Sequence, residues 1–142
     1  MLNVRLQRLS PYAKLPTKGT KGSAYCDLYV AESCVLDLAE TRAVTTGWNI
    51  EVPSGYFLDI RPRSGLALLG VTINNSPGVI DTDFRGELKV ILTNHSTEAY
   101  YIRIGDRIAQ CALMPVLECS FEEVEKLSET ERGVNGYGST GR

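Results

Sequence analysis

Apolar and polar residues alternate over several short stretches of the chain, and turn-forming residues separate these stretches. In residues 56–61, for example, Leu58 and Ile60 share one face of an extended chain, and Asp59 and Arg61 share the other. Alternation or short apolar runs also predict strands in residues 3–9, 27–30, 34–38, 42–52, 71–74, 88–93, 100–102 and 108–115. Many short strands with regular turns favour an all-β barrel or sandwich.

Two segments have the pattern of a short helix. Residues 64–69 contain three leucines behind Ser64, a residue type that caps helices, and predict about two helical turns. Residues 128–131 have the spacing of a capping box but no long apolar run behind it, so they predict a single turn. The expected fold is therefore all-β with at most one or two short helices.

The length and charge of the chain exclude several classes of protein. With 142 residues, of which 43% are hydrophobic and 23% charged, the chain can form one domain with a real core. Its formal net charge of −2 argues against non-specific nucleic-acid binding, which usually needs a basic excess. No apolar run approaches the roughly 18 residues of a membrane span. We therefore expect a protein that binds neither nucleic acid nor membrane.

The four cysteines do not form a metal-binding pattern. None belongs to a CxxC pair, and the single histidine, His95, is far from all of them in sequence, which argues against a zinc site. The N-terminus lacks the charged and then apolar pattern of a secretory signal. We expect an intracellular, soluble protein whose cysteines are reduced and pack as small core groups. The cysteines are Cys26, Cys34, Cys111 and Cys119.

A glycine-rich segment near the C-terminus has the composition of a loop that closes over a ligand. Residues 132–141 contain four glycines, one aromatic ring, two hydroxyls and one arginine. Glycines let backbone N–H groups approach phosphate oxygens closely, and Arg132 adds a planar set of donors. Tyr137 offers a face for stacking. The segment therefore predicts a ligand with both a flat ring and a polyphosphate.

Other charged and amide side chains lie beside the predicted strands and helix. Ser64 and Gly65 follow Arg63 at a predicted helix start, which suits an anion, although a surface arginine in a plain turn fits equally well. Asp27 ends a strand and either holds a hydrated cation or caps a loop, and the residue alone favours the cap. Gln110 can contact phosphate or water.

Residues 78–86 place two carboxylates between glycines and beside an aromatic ring. On a strand, Asp81 and Asp83 would face the same way, so that one acts as a base and the other orients a neighbour. The alternative is an acidic hairpin turn, which the upstream sequence NSPG (residues 75–78) strengthens. Asn75 also supplies an amide suited to the edge of a nucleobase.

Together these segments resemble the five ordered motifs of the trimeric dUTPase family. Their order and spacing match the family along nearly the whole chain. One such motif is weak evidence, but five in register are specific. The segments are residues 24–28 (AYCDL), 62–67 (PRSGLA), 78–86 (GVIDTDFRG), 105–110 (GDRIAQ) and 132–141 (RGVNGYGSTG).

The resemblance implies a distorted jelly-roll β-barrel that assembles as a homotrimer, with active sites at the subunit interfaces. It implies a barrel core of about residues 1–131 and a flexible arm, about 132–142, that closes the active site. The implied enzyme is a dUTP diphosphatase that uses Mg²⁺. It hydrolyses dUTP to dUMP and pyrophosphate by attack of water on the α-phosphorus, which keeps uracil out of DNA and supplies dUMP for thymidylate synthesis.

The resemblance also implies a role for each matching residue. Asp81 matches the catalytic carboxylate that activates water, and Asp27 matches the carboxylate that contacts the metal through water. Phe84 matches the ring that packs under the deoxyribose. The implied substrate-binding residues are Arg63, Ser64, Gly65, Asn75, Gly78, Val79, Ile80, Asp83, Phe84, Gln110, Arg132, Tyr137, Gly138, Ser139 and Thr140. Tyr25 and Cys26 stand where the family often has Gly-Tyr.

Two other functions share parts of this pattern. A dCTP deaminase has the same fold but needs a deaminating base and releases ammonia; residues 75–83 and Tyr137 favour the uracil hydrolase. A regulatory protein on a dUTPase scaffold would use the nucleotide as a switch. The intact set that includes Asp27, Ser64 and Asp81 argues against a dead enzyme but leaves a second role open.

Overall fold

The chain folds almost entirely into short antiparallel strands. The computed structural model describes residues 2–136, and within them lie eleven strands and one short helix. The strands are β1 (Arg5–Arg8), β2 (Thr17–Lys18), β3 (Cys26–Tyr29), β4 (Cys34–Leu36), β5 (Thr41–Glu51), β6 (Tyr56–Arg61), β7 (Val71–Ile73), β8 (Gly78–Ile80), β9 (Glu87–Asn94), β10 (Tyr100–Ile102) and β11 (Arg107–Pro115), and the helix is α1 (Ser64–Leu68). The predicted all-β class is confirmed.

The strands form three sheets. One large sheet has the order β1-β5-β9-β7, the other has the order β2-β3-β11-β6-β8, and β4 pairs with β10 in a small third sheet. Every strand pair is antiparallel. In the second large sheet, β8 lies at one edge, next to β6.

Alternating residues of the longer strands form one core between these sheets. On β9, Leu88, Val90 and Leu92 are each 1% exposed, whereas Lys89 between them faces solvent. They pack in the same cluster as residues of the other large sheet, among them Ile60 of β6. Burial of each such side chain is worth about 1.5–3 kcal/mol, so the predicted period of two is the main determinant of the fold.

Each predicted strand has a counterpart, but two strands were not predicted. β2 consists of two residues in a segment that reads as a loop. β8 consists of three residues between a proline and an aspartate, where the sequence indicated a turn. Both are too short to show an alternating pattern, and each exists because a longer neighbouring strand supplies the hydrogen bonds.

The helix predictions are confirmed in one case and wrong in the other. α1 forms at the predicted place, but its N-cap is Arg63, whose backbone is extended, and no side chain caps it. The prediction that Ser64 caps the helix is therefore wrong, since Ser64 is already the first helical residue. Residues 128–131 form no helix, because no apolar face follows that would dock one. In the part of the chain described, no helix is long and apolar enough to cross a membrane.

The chain crosses from one large sheet to the other between β7 and β8. β7 pairs with β9, whereas β8 pairs with β6, so residues 74–77 connect two sheets rather than two strands of one hairpin. The alternative of a hairpin at residues 78–86 is wrong as well, because β8 and β9 on either side of the turn do not pair with each other. The Ser76–Pro77 peptide bond within the connection is cis.

Candidate active site

Polar side chains from three neighbouring strands lie together on one face of the second large sheet. Gln110 on β11 pairs with Asp27 on β3 on one side and with Arg61 on β6 on the other. Paired residues of antiparallel strands project to the same face, so the three side chains are neighbours. The sequence predicted Asp27 and Gln110 as site residues independently, and the strand register brings them together.

Two arginines hold the Asp27 carboxylate. Arg63 Nε donates to Oδ1 at 2.9 Å, and Arg107 Nη1 donates to Oδ2 at 3.3 Å. Arg63 Nη1 also donates to the carbonyl oxygen of Arg107 at 3.1 Å. The side chain of Asp27 is only 14% exposed, so water screens this pair less than an open surface ion pair. Two guanidinium charges against one carboxylate leave a net positive charge, which suits an anion.

The start of α1 lies beside these arginines. Gln110 Nε2 donates to the carbonyl oxygen of Pro62 at 2.9 Å, which ties β11 to the segment that precedes the helix. Ser64 and Gly65 are exposed in the first helical turn. Their backbone N–H groups are among those that a helix leaves without an internal partner. We call Asp27, Arg63, Arg107 and Gln110 the charged cluster; Ser64 and Gly65 adjoin it.

A small cavity lies next to β8. It has a volume of about 220 Å³. Five predicted site residues line it, namely Asn75, Gly78, Val79, Ile80 and Phe84. A Cβ atom at Gly78 would lie 3.2 Å from Ile60 Cβ and 3.8 Å from Asn75 Nδ2, so glycine allows close packing at this wall. We call these five residues the cavity region.

The ring of Phe84 is positioned by Gly86, two residues later in the chain. A Cβ atom at Gly86 would lie 2.7 Å from Phe84 Cζ, so the ring rests directly on the Gly86 backbone. Arg85 Nη1 donates to the carbonyl oxygens of Thr82 and Phe84 at 2.7 and 2.8 Å. These bonds fix the loop after β8, in which Phe84 is 40% exposed.

Asp81 and Asp83 follow β8 in a turn. β8 ends at Ile80, so the prediction that both carboxylates face the same way along a strand is wrong. Both residues are exposed, and among residues 2–136 neither carboxylate takes part in a hydrogen bond or ion pair. Each is therefore open to water and ligand.

Within one chain, Asp81 lies away from the charged cluster. Ile80, directly before it, pairs with Leu58 of β6, whereas Gln110 pairs with Arg61 of β6. Three residues of extended chain separate these two positions on β6, a distance on the order of 10 Å. The sequence did not show this separation, because it depends on the register of β8.

One buried charge was not predicted. Asp59 is 3% exposed and binds both Arg61 and Tyr25. The alternation of Asp59 and Arg61 along β6 was visible in the sequence and was the only signal for this group.

The last predicted segment is described only in part. Arg132 is exposed, and its carbonyl oxygen accepts a hydrogen bond from Asn135 N at 3.2 Å in a turn where Gly133 has a φ of 53°. Residues 116–136 contain no strand or helix. Tyr137, Gly138, Ser139 and Thr140 lie outside the described residues.

The cysteines differ in their surroundings. Burial raises the pKa of Cys111 to about 12, so this thiol stays neutral in the core. Cys119 is exposed, so the prediction that all four cysteines are core groups is wrong there, because Cys119 lies beyond the last strand. No cluster of three or more potential metal-binding residues exists in the described chain.

Comparisons with known proteins agree on one family. The dUTPase family model matches residues 11–141. The deoxyuridine 5'-triphosphate nucleotidohydrolase of Nautilia profundicola is 44% identical over 142 residues, which covers 99% of this chain and 100% of that protein. The dUTPase of Staphylococcus bacteriophage 80alpha with dUpNHpp has a TM-score of 0.90 at 26% identity and covers 99% of both chains. A dUTPase of phage phi11 of S. aureus, with a structural Mg(II) ion, has a TM-score of 0.80 at 23% identity over 89% of this chain and 99% of its own.

Proposed function

The chain belongs to the dUTPase family, has its jelly-roll fold and hydrolyses dUTP to dUMP and pyrophosphate; we propose that the cavity region binds the base and the charged cluster binds the phosphates. This assignment follows the chemistry of each region. The first is small and mostly apolar, with the Asn75 amide and the paired Glu87 and Lys89 as its polar lining. The second has a net positive charge and open N–H groups.

The edge position of β8 supports base recognition by the cavity region. β8 pairs with β6 on one side only, so its other edge presents backbone donors and acceptors. Together with the Asn75 amide, fixed backbone groups distinguish uracil from cytosine, whose edge pattern differs. Such polar mismatches are worth roughly 10⁴-fold or more in specificity. Phe84 lies beside this edge, where its ring excludes a ribose hydroxyl.

The charged cluster supports phosphate binding because its arginines are already oriented. Arg63 is held by Asp27 and by a backbone carbonyl, so little side-chain entropy is lost when it meets a phosphate. Gln110, Ser64 and Gly65 add neutral donors at the same place. Phosphoryl transfer depends mainly on such positioning and charge neutralisation.

Asp81 is the proposed general base. It is exposed and has no partner among the described residues, so its carboxylate is free to accept a hydrogen bond from water. In the proposed step, Asp81 takes a proton from that water as its oxygen attacks the α-phosphorus. The bond from the α-phosphorus to the bridging oxygen breaks, and pyrophosphate leaves. Asp83, in the same turn, contacts substrate rather than the attacking water.

The residues fit a Mg²⁺ ion that arrives with the nucleotide. Mg²⁺ usually keeps several waters and binds one or two carboxylates together with substrate phosphates, so a dense protein site is not needed. Asp27 keeps lone pairs beyond its two hydrogen bonds to arginine and can accept a hydrogen bond from a metal-bound water. When bound, Mg²⁺ neutralises phosphate charge.

A second copy of the chain completes the proposed site. The residue before Asp81 pairs with Leu58 of β6, whereas Gln110 of the charged cluster pairs with Arg61, on the order of 10 Å further along β6. One chain therefore does not bring its own base next to its own phosphate site. The proposed assembly is a homotrimer in which the cavity region of one copy faces the charged cluster of another. The separation within one chain is the observation that best supports this sharing.

The C-terminal segment is the proposed closing element. The last strand of the described part of the chain ends at Pro115, and Arg132 lies further on in an exposed turn. We assign about residues 1–131 to the core and 132–142 to the arm. Arg132, Tyr137, Gly138, Ser139 and Thr140 would then cover the bound nucleotide.

Pyrophosphate release from dUTP, dCTP, dTTP and UTP, each with Mg²⁺ and with EDTA, tests the proposed function. Release from dUTP alone, lost with EDTA, is the expected result. Ammonia release from dCTP would indicate a deaminase instead. Nucleotide binding without any turnover would indicate a regulatory protein.

A further inference from the structure

Asp59 is a buried charge in the middle of β6. Its side chain is 4% exposed, and Oδ2 accepts hydrogen bonds from Arg61 Nε and Tyr25 Oη, both at 2.7 Å. The hydrogen bond to Asp59 is the main reason why the pKa of Tyr25 is raised, so the hydroxyl stays protonated and keeps donating. A buried carboxylate is costly unless it is paired in this way. Arg61 is therefore held at one defined position.

That position is next to Gln110. Arg61 and Gln110 are directly paired across β6 and β11, so their Cβ atoms are about 4.5–5.5 Å apart on one face. The Arg61 side chain is 46% exposed. Among the hydrogen bonds and ion pairs of residues 2–136, Arg61 takes part only through Nε, so both terminal amino groups keep donors for a ligand.

The other two arginines of this face already use a terminal amino group. Arg63 uses Nε and Nη1 on Asp27 and on a backbone carbonyl, and Arg107 uses Nη1 on Asp27. A phosphate is best bound by two parallel N–H donors of one guanidinium group. Arg61 alone among the three combines a fixed Nε with two uncommitted terminal amino groups.

We propose that Arg61 is a further substrate-binding residue that contacts the polyphosphate of the nucleotide, and that Asp59 and Tyr25 are its positioning residues. The proposal rests on the phosphate role of the charged cluster in the proposed function. It adds a phosphate-binding residue that the family resemblance did not assign. It also gives Tyr25, which stands where the family often has glycine, a specific role.

The test compares affinities for dUpNHpp and dUMP by calorimetry. Arg61→Gln is expected to weaken dUpNHpp binding on the order of tenfold and dUMP binding by less than about threefold. Arg42→Gln is the matched control: Arg42 is 45% exposed and also donates through Nε to a carboxylate, that of Glu40. This control should leave both affinities unchanged.

Loss of Arg61 leaves Asp59 buried without its charge partner, so a second variant guards against misfolding. The double variant Asp59→Asn/Arg61→Gln removes both charges together and should show the same selective loss. Asp59→Asn and Tyr25→Phe keep Arg61 but release it, and each should weaken dUpNHpp binding by a smaller factor. In combination with Arg61→Gln their effects should not add.

Two results would overturn the proposal. One is unchanged dUpNHpp affinity in the folded double variant. The other is an equal loss of affinity for dUpNHpp and dUMP, which would indicate a general structural role. Failure of the proposed phosphate role of the charged cluster is a separate outcome, because Arg63→Gln would then leave the affinity for dUpNHpp unchanged.

Discussion

The two regions of the proposed site are built in opposite ways. In the charged cluster, Asp27 binds Arg63 and Arg107, so the guanidinium donors of the cluster are oriented before any ligand arrives. In the cavity region, shape is set by glycines and apolar walls, and Asp81 in the adjacent turn has no partner among the described residues. In the proposed site, phosphate binding therefore relies on preorganised charge, whereas base selection and chemistry rely on close packing and an unengaged carboxylate.

Replacing the unengaged carboxylate should have the largest effect. Asp81→Asn keeps the volume of the side chain but cannot accept a proton, so kcat should fall on the order of 10²-fold or more while dUpNHpp still binds. Asp37→Asn, another exposed carboxylate, is the control. Full turnover in Asp81→Asn would remove this residue as the base.

Removing residues 133–142 tests whether the charged cluster and the cavity region suffice for turnover. The last strand among residues 2–136 ends at Pro115, so the shortened protein should keep its fold and melting temperature. Most turnover should be lost, since the segment is proposed to close the site. A truncated protein with normal kcat would show that the two regions work without the arm.

A substitution in the charged cluster should mainly weaken the affinity for substrate. Asp27→Asn removes both ion pairs and releases the arginines, so KM for dUTP should rise about tenfold with a smaller change in kcat. Glu51→Gln, which breaks the exposed pair with Arg5, is the control. A change confined to the Mg²⁺ concentration needed for turnover would instead make Asp27 a metal residue only, and no change would exclude both roles.

The smallest expected effect is on sugar selectivity in the cavity region. Phe84→Ala removes the ring beside the sugar, so the ratio of UTP to dUTP hydrolysis should rise several-fold. Gly86→Ala should act in the same direction, because its methyl group displaces the ring that rests there. An unchanged ratio in both variants would contradict the role of Phe84 in sugar selectivity.

Much of this molecule was predictable from sequence, and the exceptions that determine the layout of the site share one cause. Strands such as β6 and β9 follow from alternation, and the site residues follow from segments that resemble known motifs. The partners of Asp27, the pairing of β8 and the burial of Asp59 depend on which strands lie side by side. That register arises from tertiary packing, so a single sequence contains no local signal for it.

Complementation between two impaired variants tests most directly whether two copies share a site. Asp81→Asn and Arg63→Gln chains would be co-refolded in equal amounts, and dUTP turnover compared with that of each variant alone. If the two residues act from different copies, random mixing should restore about a quarter of wild-type activity, because half of the sites keep Asp81 and half of those keep Arg63. Turnover no greater than the sum of the separate variants would contradict the shared site.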